Sequence, residues 1–380
     1  MEKKRLKSYF FSTFAASQEI TFDFICAFII IMKDIAHKYQ VEYINKNDIS
    51  CLETTWKQLE KGSDMSYFQS YDWYEMLNDV YVPEDTKNYV SVYAVVRRDG
   101  VGILIAPLWI VKQTFKFVNK KGVYFLGRQG WSDYLNFIYS DFDSCALDLL
   151  LHDVKEKYKV SKFFFSEMKQ NIKSFQYFIS KYNVKHEELV TCVALKLPNT
   201  TTDYRSLLSK NARQNIRTAF NRLKKDGIEI RIVFDDLSVN REKCKYIRDQ
   251  RFVKKIENIS KLRLFKYRMM SRLTYHFKSY IPFMDYDKGH FLTVYHKEEL
   301  CSFFYYLKDE VHRQILFIAA GVNMRYSRYS PGILSLNAFV NNQIDYSEID
   351  IIDFTRGNES YKYAVGGVSN NIETISFIVK

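Results

Sequence analysis

Two stretches near the C-terminus hold residue types that can do chemistry at useful spacing. The first, "RYSRYSPGILSLNAF" (Arg325 to Phe339), leads from arginines and tyrosines through Ser-Pro-Gly into an apolar segment. Ser330 suits a helix N-cap, and Pro331 loses little at the first helical position, where its missing N–H would have no partner. Gly332 then occupies the second position. Ile333, Leu336, Phe339, Val340 and Ile344 follow at helical spacing. Upstream, "RQILFIAAG" (Arg313 to Gly321) has the composition of a buried strand. A strand, a basic loop carrying Arg328 and a glycine-bearing helix start can cradle an anion, because N–H groups and the positive dipole end point at it. A plain, well-capped helix is the simpler reading of these residues by themselves. The second stretch is "IDIIDFTRGNESYKY", a strand with a polar exit where Asp353, Arg356, Glu359, Tyr361 and Lys362 fall close together. Carboxylates, a phenol and cations are the groups that move protons and stabilise developing negative charge. The structural alternative has Asp353 organising the loop and Lys362 pairing with it.

Both stretches need a frame. Tyr89 to Val111 reads as two strands joined at Asp99-Gly100, and His290 to Leu307 reads as a second hairpin. Each hairpin precedes a third strand ending in glycine ("GVYFLG" to Gly127, "ILFIAAG" to Gly321). A helix follows in each half (about 143–158 and 331–344), then another strand ("VSKFFF", "IDIIDF"). This order, met twice, is a repeat at domain scale. It predicts two similar α/β domains with mixed sheets, a boundary near Pro198 to Thr202 and a cleft between them.

The chain has 380 residues, 47% hydrophobic and 17% aromatic, with 13 Gly and 5 Pro, which suits two globular domains without low-complexity linkers. The six cysteines form no C-x-x-C pair and the histidines no H-x-x-x-H spacing. No zinc site or disulfide framework is therefore expected, cysteines should be core residues, and a reducing cytoplasm is the expected location. Phe24 to Met32 is apolar but far short of the about 20 residues that span a bilayer. No small-residue cleavage site follows it, which argues against a signal peptide, and residues 1–31 also read as a leader upstream of a start at Met32.

Charge is concentrated. Arg205 to Arg272 holds 20 Lys and Arg against 7 Asp and Glu, a balance of +13 that accounts for the entire +12 of the whole chain. Such a segment suits a nucleotide cofactor, a nucleic acid, an anionic polymer or a peripheral contact with a lipid surface. Within it, "SKNARQNIRTAFNRLKKDG" places Lys210, Arg213, Arg217 and Lys224 on one helical arc, and Ile216, Ala219, Phe220 and Leu223 on the next. Six cations lie between Lys210 and Lys225 with no acid among them. Arg213 and Arg217, one turn apart, can clamp an anion. No Walker A loop, G-x-G-x-x-G turn or G-x-S-x-G elbow is present.

The segments "LLSKNARQNIRTAFNRLKKDG", "YSPGILSL" and "DFTRGNESYKY", in that order, resemble the GNAT-type acetyltransferases of the cellulose-biosynthesis (CelD/BcsL-like) branch. That branch is related to the Fem-type peptidyltransferases, which carry two GNAT folds in one chain. "YFQSYDWYEML" (Tyr67 to Leu77) and "LGRQGWSDYLNFI" (Leu126 to Ile138) are similar to the first half of the same proteins. The resemblance covers about residues 50–380. It implies an N-terminal extension (1–50), a first GNAT-like domain (51–200) and a second with the donor-binding turn (201–380), each a mixed, mostly antiparallel sheet flanked by helices.

The resemblance also implies acyl transfer from acetyl-CoA or another acyl-CoA, with no metal, to an amine or hydroxyl on a small-molecule or glycan acceptor. Arg328, Ser330 and Gly332 take the place of the family's pyrophosphate turn, with Arg213 and Arg217 as further donor contacts. Pro331 departs from the family's glycine-rich pattern and removes one N–H donor. Acyl transfer by direct attack needs a base, an acid for the leaving thiolate and an oxyanion partner. Glu359 or Asp353 fits the first role, Tyr361 the second, and Arg356 or Lys362 the third. Asp133 sits where related proteins face the cleft, as an acceptor contact. Two other functions fit less of the sequence: a Fem-type transferase using aminoacyl-tRNA, and a non-catalytic nucleic-acid-binding protein. The first would need a long helical arm, and residues 238–280 are too short for it.

Overall fold

The computed structural model describes residues 38–80, 82, 85–113, 120–127, 132–248 and 282–380. The apolar Phe24–Met32 stretch lies outside the described residues, as does most of 238–280.

Alternating and near-continuous apolar runs build the strands. β1 (Tyr39–Asn45), β2 (Tyr89–Arg98), β3 (Val101–Val111), β4 (Gly122–Phe125), β5 (Lys162–Lys169) and β6 (Lys185–Lys196) come from the first half. The second supplies β7 (Arg231–Val233), β8 (Gly289–His296), β9 (Glu299–Asp309), β10 (Gln314–Val322), β11 (Ile351–Arg356) and β12 (Val368–Ile378). Between them lie α1 (Glu53–Leu59), α2 (Tyr71–Val80), α3 (Ser144–Tyr158), α4 (Lys173–Lys181), α5 (Thr201–Leu207), α6 (Lys210–Lys225), α7 (Pro331–Tyr346) and α8 (Ser360–Ala364). The Asp99-Gly100 turn has both residues at positive φ (52° and 82°), as a two-residue hairpin turn requires.

The expected repeat is present. β2, β3 and β4 form an antiparallel meander, and β4 then pairs parallel with β5 across α3. β8, β9 and β10 do the same, with β11 parallel to β10 across α7. The expectation of two separate sheets facing a cleft is corrected, because all twelve strands form one sheet in the order β1-β2-β3-β4-β5-β12-β6-β11-β10-β9-β8-β7. The reason lies in the two central strands. β6, from the first half, pairs with β11 of the second, while β12 returns to pair with β5 of the first. β6 and β12 also pair with each other, from Val368↔Ala194 to Ser376↔Lys185. Each half thus lends the other its last strand.

Aromatic residues fill much of the core. Trp56, Trp73, Tyr74, Phe125, Phe137 and Phe163 are fully buried in the first half, and Tyr305 and Tyr306 in the second. Cys192, Cys244 and Cys301 are core residues as expected, whereas Cys51 and Cys145 are exposed. Among the described residues no helix is long and apolar enough to cross a membrane.

Candidate active site where the halves meet

β10 and β11 pair for only three residues, Gln314↔Ile351 to Leu316↔Asp353. Beyond them β10 bulges between Phe317 and Ala319 and stays with β9, while β11 bulges between Asp353 and Arg356 and stays with β6. The two strands therefore diverge into a wedge. The Thr355 hydroxyl donates to the Phe317 carbonyl at 2.8 Å and closes its floor. Ile318, Ala319 and Ala320 are only half-buried although they lie mid-sheet, because no strand among the described residues covers that edge.

The first half diverges in the same place, after Tyr124↔Phe164, but its own chain fills the gap. Residues 132–138 run there: the Leu135 N–H donates to the Glu167 carbonyl at 3.0 Å, and Ile138 bridges to Ile105. Leu135, Phe137 and Ile138 are completely buried. Among the described residues, the second half's wedge is the open one of the two.

The filling segment also carries Asp133 and Tyr134 to the second half. Tyr134 donates its hydroxyl to Asp353 at 2.7 Å, and Asp353 also accepts the Thr355 N–H at 2.7 Å. Arg356 donates through Nε to Asp133 at 2.6 Å and through Nη2 to Glu167 at 2.5 Å. Lys169 lies 4.2 Å from the centre of the Tyr134 ring. Tyr134, Glu167 and Thr355 all have left-handed backbones (φ 59°, 61° and 52°). For a β-branched threonine this is a true outlier, and three such residues in one network mark stored strain of the kind found at functional sites.

Burial raises the Asp353 carboxyl above its usual range, against the opposing Lys169 charge and the two hydrogen bonds it accepts. The Asp133 and Glu167 carboxylates, acting against burial, hold the Arg356 guanidinium charged. Burial, with Asp133 and Asp353 nearby, pushes the Cys192 thiol up, so it is no nucleophile.

The sequence candidates sort by geometry. Asp353 is sealed by Tyr134 and Thr355, so it positions rather than meets an acceptor. Arg356 is neutralised by two carboxylates, which corrects its reading as an anion partner. Lys362 is 3% exposed and donates to the carbonyls of Thr355 (3.2 Å), Arg356 (2.6 Å) and Gly357 (3.0 Å), with Glu359 at 3.1 Å. Its ammonium is spent clamping the loop, so it is not an oxyanion partner, and its acid partner is Glu359 rather than Asp353. Glu359 keeps a side chain 38% exposed at the start of α8. Tyr361 is half-buried, its ring 6.0 Å from that of Phe304.

The turn before α7 is also more specific than expected. Ser330 is the N-cap residue, but in a left-handed conformation (φ 50°) with no side-chain cap. Its carbonyl accepts from Ile333 and Leu334, and its N–H donates to Ser327. Pro331 has no N–H, and the Gly332 N–H makes no backbone hydrogen bond among the described residues. The turn therefore offers one amide, not a nest of them. A Cβ on Gly332 would lie 3.5 Å from the Phe304 ring, so one ring separates this turn from Tyr361. Arg328 pairs with Asp226 at 3.0 Å on the surface. Arg213 and Arg217 lie elsewhere, in a groove with Asn337 and Asn341, more than a turn along α7 from Gly332. Phe220, on the apolar arc of the helix, is 52% exposed, while Ala212, Ala219 and Leu223 make the buried face of α6.

Residues 210–363 match a family model described as an acetyltransferase (GNAT) domain. This segment contains the open wedge, the turn and the polar exit. No curated protein matches the sequence. Among solved structures, FemX is similar over 90% of this chain and 97% of its own, at 9% identity and a TM-score of 0.56. A conserved protein of unknown function from Bacteroides thetaiotaomicron VPI-5482 is similar over 90% and 100%, at 11% identity and a TM-score of 0.51. The C-terminal domain of a putative lysylphosphatidylglycerol synthetase from Agrobacterium fabrum follows, over 87% and 92%, at 7% identity and a TM-score of 0.50. At such identities the likeness is one of fold. The GNAT acyltransferase fold thus holds for the second half, inside a two-part architecture shared with FemX.

Sequence reasoning missed Tyr134, Glu167 and Lys169. Tyr134 stood beside Asp133 in a quoted motif, but nothing in a strand such as "KFFFSEMK" marks Glu167 as facing the other half.

Proposed function

We propose that the protein is an acyltransferase of the cellulose-biosynthesis-like branch. It moves an acyl group, acetyl in the simplest case, from acyl-CoA to an amine or hydroxyl of a sugar or polysaccharide precursor in the cytoplasm. The two domains run from 51 to 200 and from 201 to 380. The open wedge between β10 and β11 carries this reading, because an extended thioester arm can lie along the uncovered edge of β10. The Gly332 N–H and Arg328 would meet donor phosphate at one end, and Tyr361 and Glu359 flank the other. In the transfer, Glu359 accepts the proton of the attacking acceptor while a bond forms to the acyl carbon. The tetrahedral intermediate then expels the thiolate, which Tyr361 protonates. Asp133, expected as an acceptor contact, is buried with both oxygens bonded to Arg356, so it braces the exit loop from the first half rather than meeting the acceptor itself.

A second reading, transfer from aminoacyl-tRNA, is favoured by the run of six cations on α6. Titration calorimetry with acetyl-CoA and with charged tRNA separates the two. Stoichiometric binding of acetyl-CoA supports the first; tRNA binding with no response to acetyl-CoA overturns it.

A further inference from the structure

Beyond the transfer centre, α5, α6 and α7 enclose a groove of about 560 Å³. Arg205, Arg213 and Arg217 line it, with no carboxylate among the described lining residues to neutralise them. Arg213 is oriented in advance, since its Nη1 donates to the carbonyls of Leu208 (2.8 Å) and Arg205 (3.2 Å). Its Nε and Nη2 make no hydrogen bond among the described residues. Arg217 is exposed one turn further on, about 6 Å away between Cβ atoms, a span that the outer oxygens of a diphosphate can bridge. Phe220 keeps 52% of its surface exposed at the same groove, next to residues whose helix already has a packed face. Asn337 and Asn341 from α7 supply amides opposite, and Asn341 donates its Nδ2 to the Asn337 carbonyl at 2.7 Å. Among the described residues the Asn341 side-chain oxygen has no donor, so it can accept from a ligand. Guanidinium groups, an exposed ring face and amides are the partners of phosphate, a flat base and its polar edge. The volume lies within the range of small-ligand sites, about 300–1,000 Å³.

We propose that this groove binds the phosphates and ring of a nucleotide-sized ligand. The site is separate from the wedge and stands whether or not the acyl-transfer reading does, because it is measured by binding at equilibrium. Calorimetry on the full chain uses ADP and inorganic pyrophosphate as probes. Both should bind, and Arg217→Ala, an exposed change that leaves the fold intact, should weaken each about tenfold or more. Phe220→Ala should weaken ADP about tenfold, the worth of one stacked base, and leave pyrophosphate unchanged. CoA added to the ADP complex then identifies the source. Displacement of ADP assigns the groove to the donor's own nucleotide; simultaneous binding assigns it to a nucleotide on another molecule. Silence from both probes at millimolar concentration, or wild-type affinity in Arg217→Ala, overturns the proposal. So does binding of single-stranded RNA but not ADP with a steep salt dependence, which would make the groove part of a nucleic-acid track.

Discussion

At the exit of β11, Glu359 combines a proton-accepting group with access to solvent, whereas Asp353 is sealed and Lys362 is fully engaged. Glu359→Gln keeps size and polarity but removes the base. Turnover should fall by about 10²–10⁴-fold with donor affinity little changed, and recover in part at high pH as the acceptor deprotonates by itself. Tyr361→Phe should cost less with thioesters whose thiols are more acidic, because those thiolates leave unaided. Steady-state rates against pH and against graded thioesters check both, and wild-type rates throughout would return the loop to a structural role. Lys362 calls for a different measurement. Its ammonium satisfies three successive carbonyls, so Lys362→Met should lower the stability to urea by about 2–3 kcal/mol, the cost of buried acceptors left unpaired. If stability is unchanged while turnover collapses, the clamp is the wrong account.

The turn before α7 shows what an element demands of single residues. Ser330 holds a left-handed backbone without using its hydroxyl as a cap, so its side chain costs conformational energy and returns no capping bond. Ser330→Gly should raise stability by about 1 kcal/mol in denaturant titrations, and a loss would mean that the hydroxyl has a partner worth more than the strain. Helix bounds and this N-cap position were legible in the sequence because Ser-Pro-Gly followed by apolar periodicity is a local signal. The left-handed backbone was not, since Ser330 is an ordinary N-cap by type. The hairpins were legible for the same local reason, Asp99-Gly100 above all. Arg356 and Lys362 were found as residues but assigned the wrong partners. Their partners, Asp133, Glu167 and a run of main-chain carbonyls, depend on how the chain returns on itself. The exchange of β6 and β12 was invisible because either strand suits either sheet by composition, and the pairing is decided by topology.

At the scale of the molecule, the halves are joined by that strand exchange, by the Asp133–Arg356–Glu167 network and by a third link at the opposite end of β10. There the turn between β9 and β10 carries His312, whose Nδ1 lies 2.9 Å from both oxygens of buried Asp309 and whose Nε2 lies 3.1 Å from the Gly62 carbonyl of the first half. Both ring nitrogens face acceptors, an arrangement that only the doubly protonated imidazolium satisfies. Burial opposes the charge, as does Lys169, but the Asp309 carboxylate and the Gly62 carbonyl outweigh them, and the His312 pKa is raised above 6.5. A folded-state pKa raised above the unfolded one means that the folded protein holds the proton more tightly. The stabilisation is therefore complete below pH 6.5 and is lost as pH rises through the higher folded value. His312→Gln keeps a donating nitrogen at one end only and cannot carry the charge. At pH 6 it should be less stable than the wild type by about 1–3 kcal/mol, the worth of a charged hydrogen bond, and the gap should narrow towards pH 9. Asp353 and Glu60, whose carboxyls burial also raises, add slopes of the same sign from lower pH, but these are present in both proteins and cancel in the difference. Denaturant midpoints measured for both proteins across this range give the result directly. A gap that stays constant from pH 6 to 9 would show that a neutral ring holds the two halves together just as well.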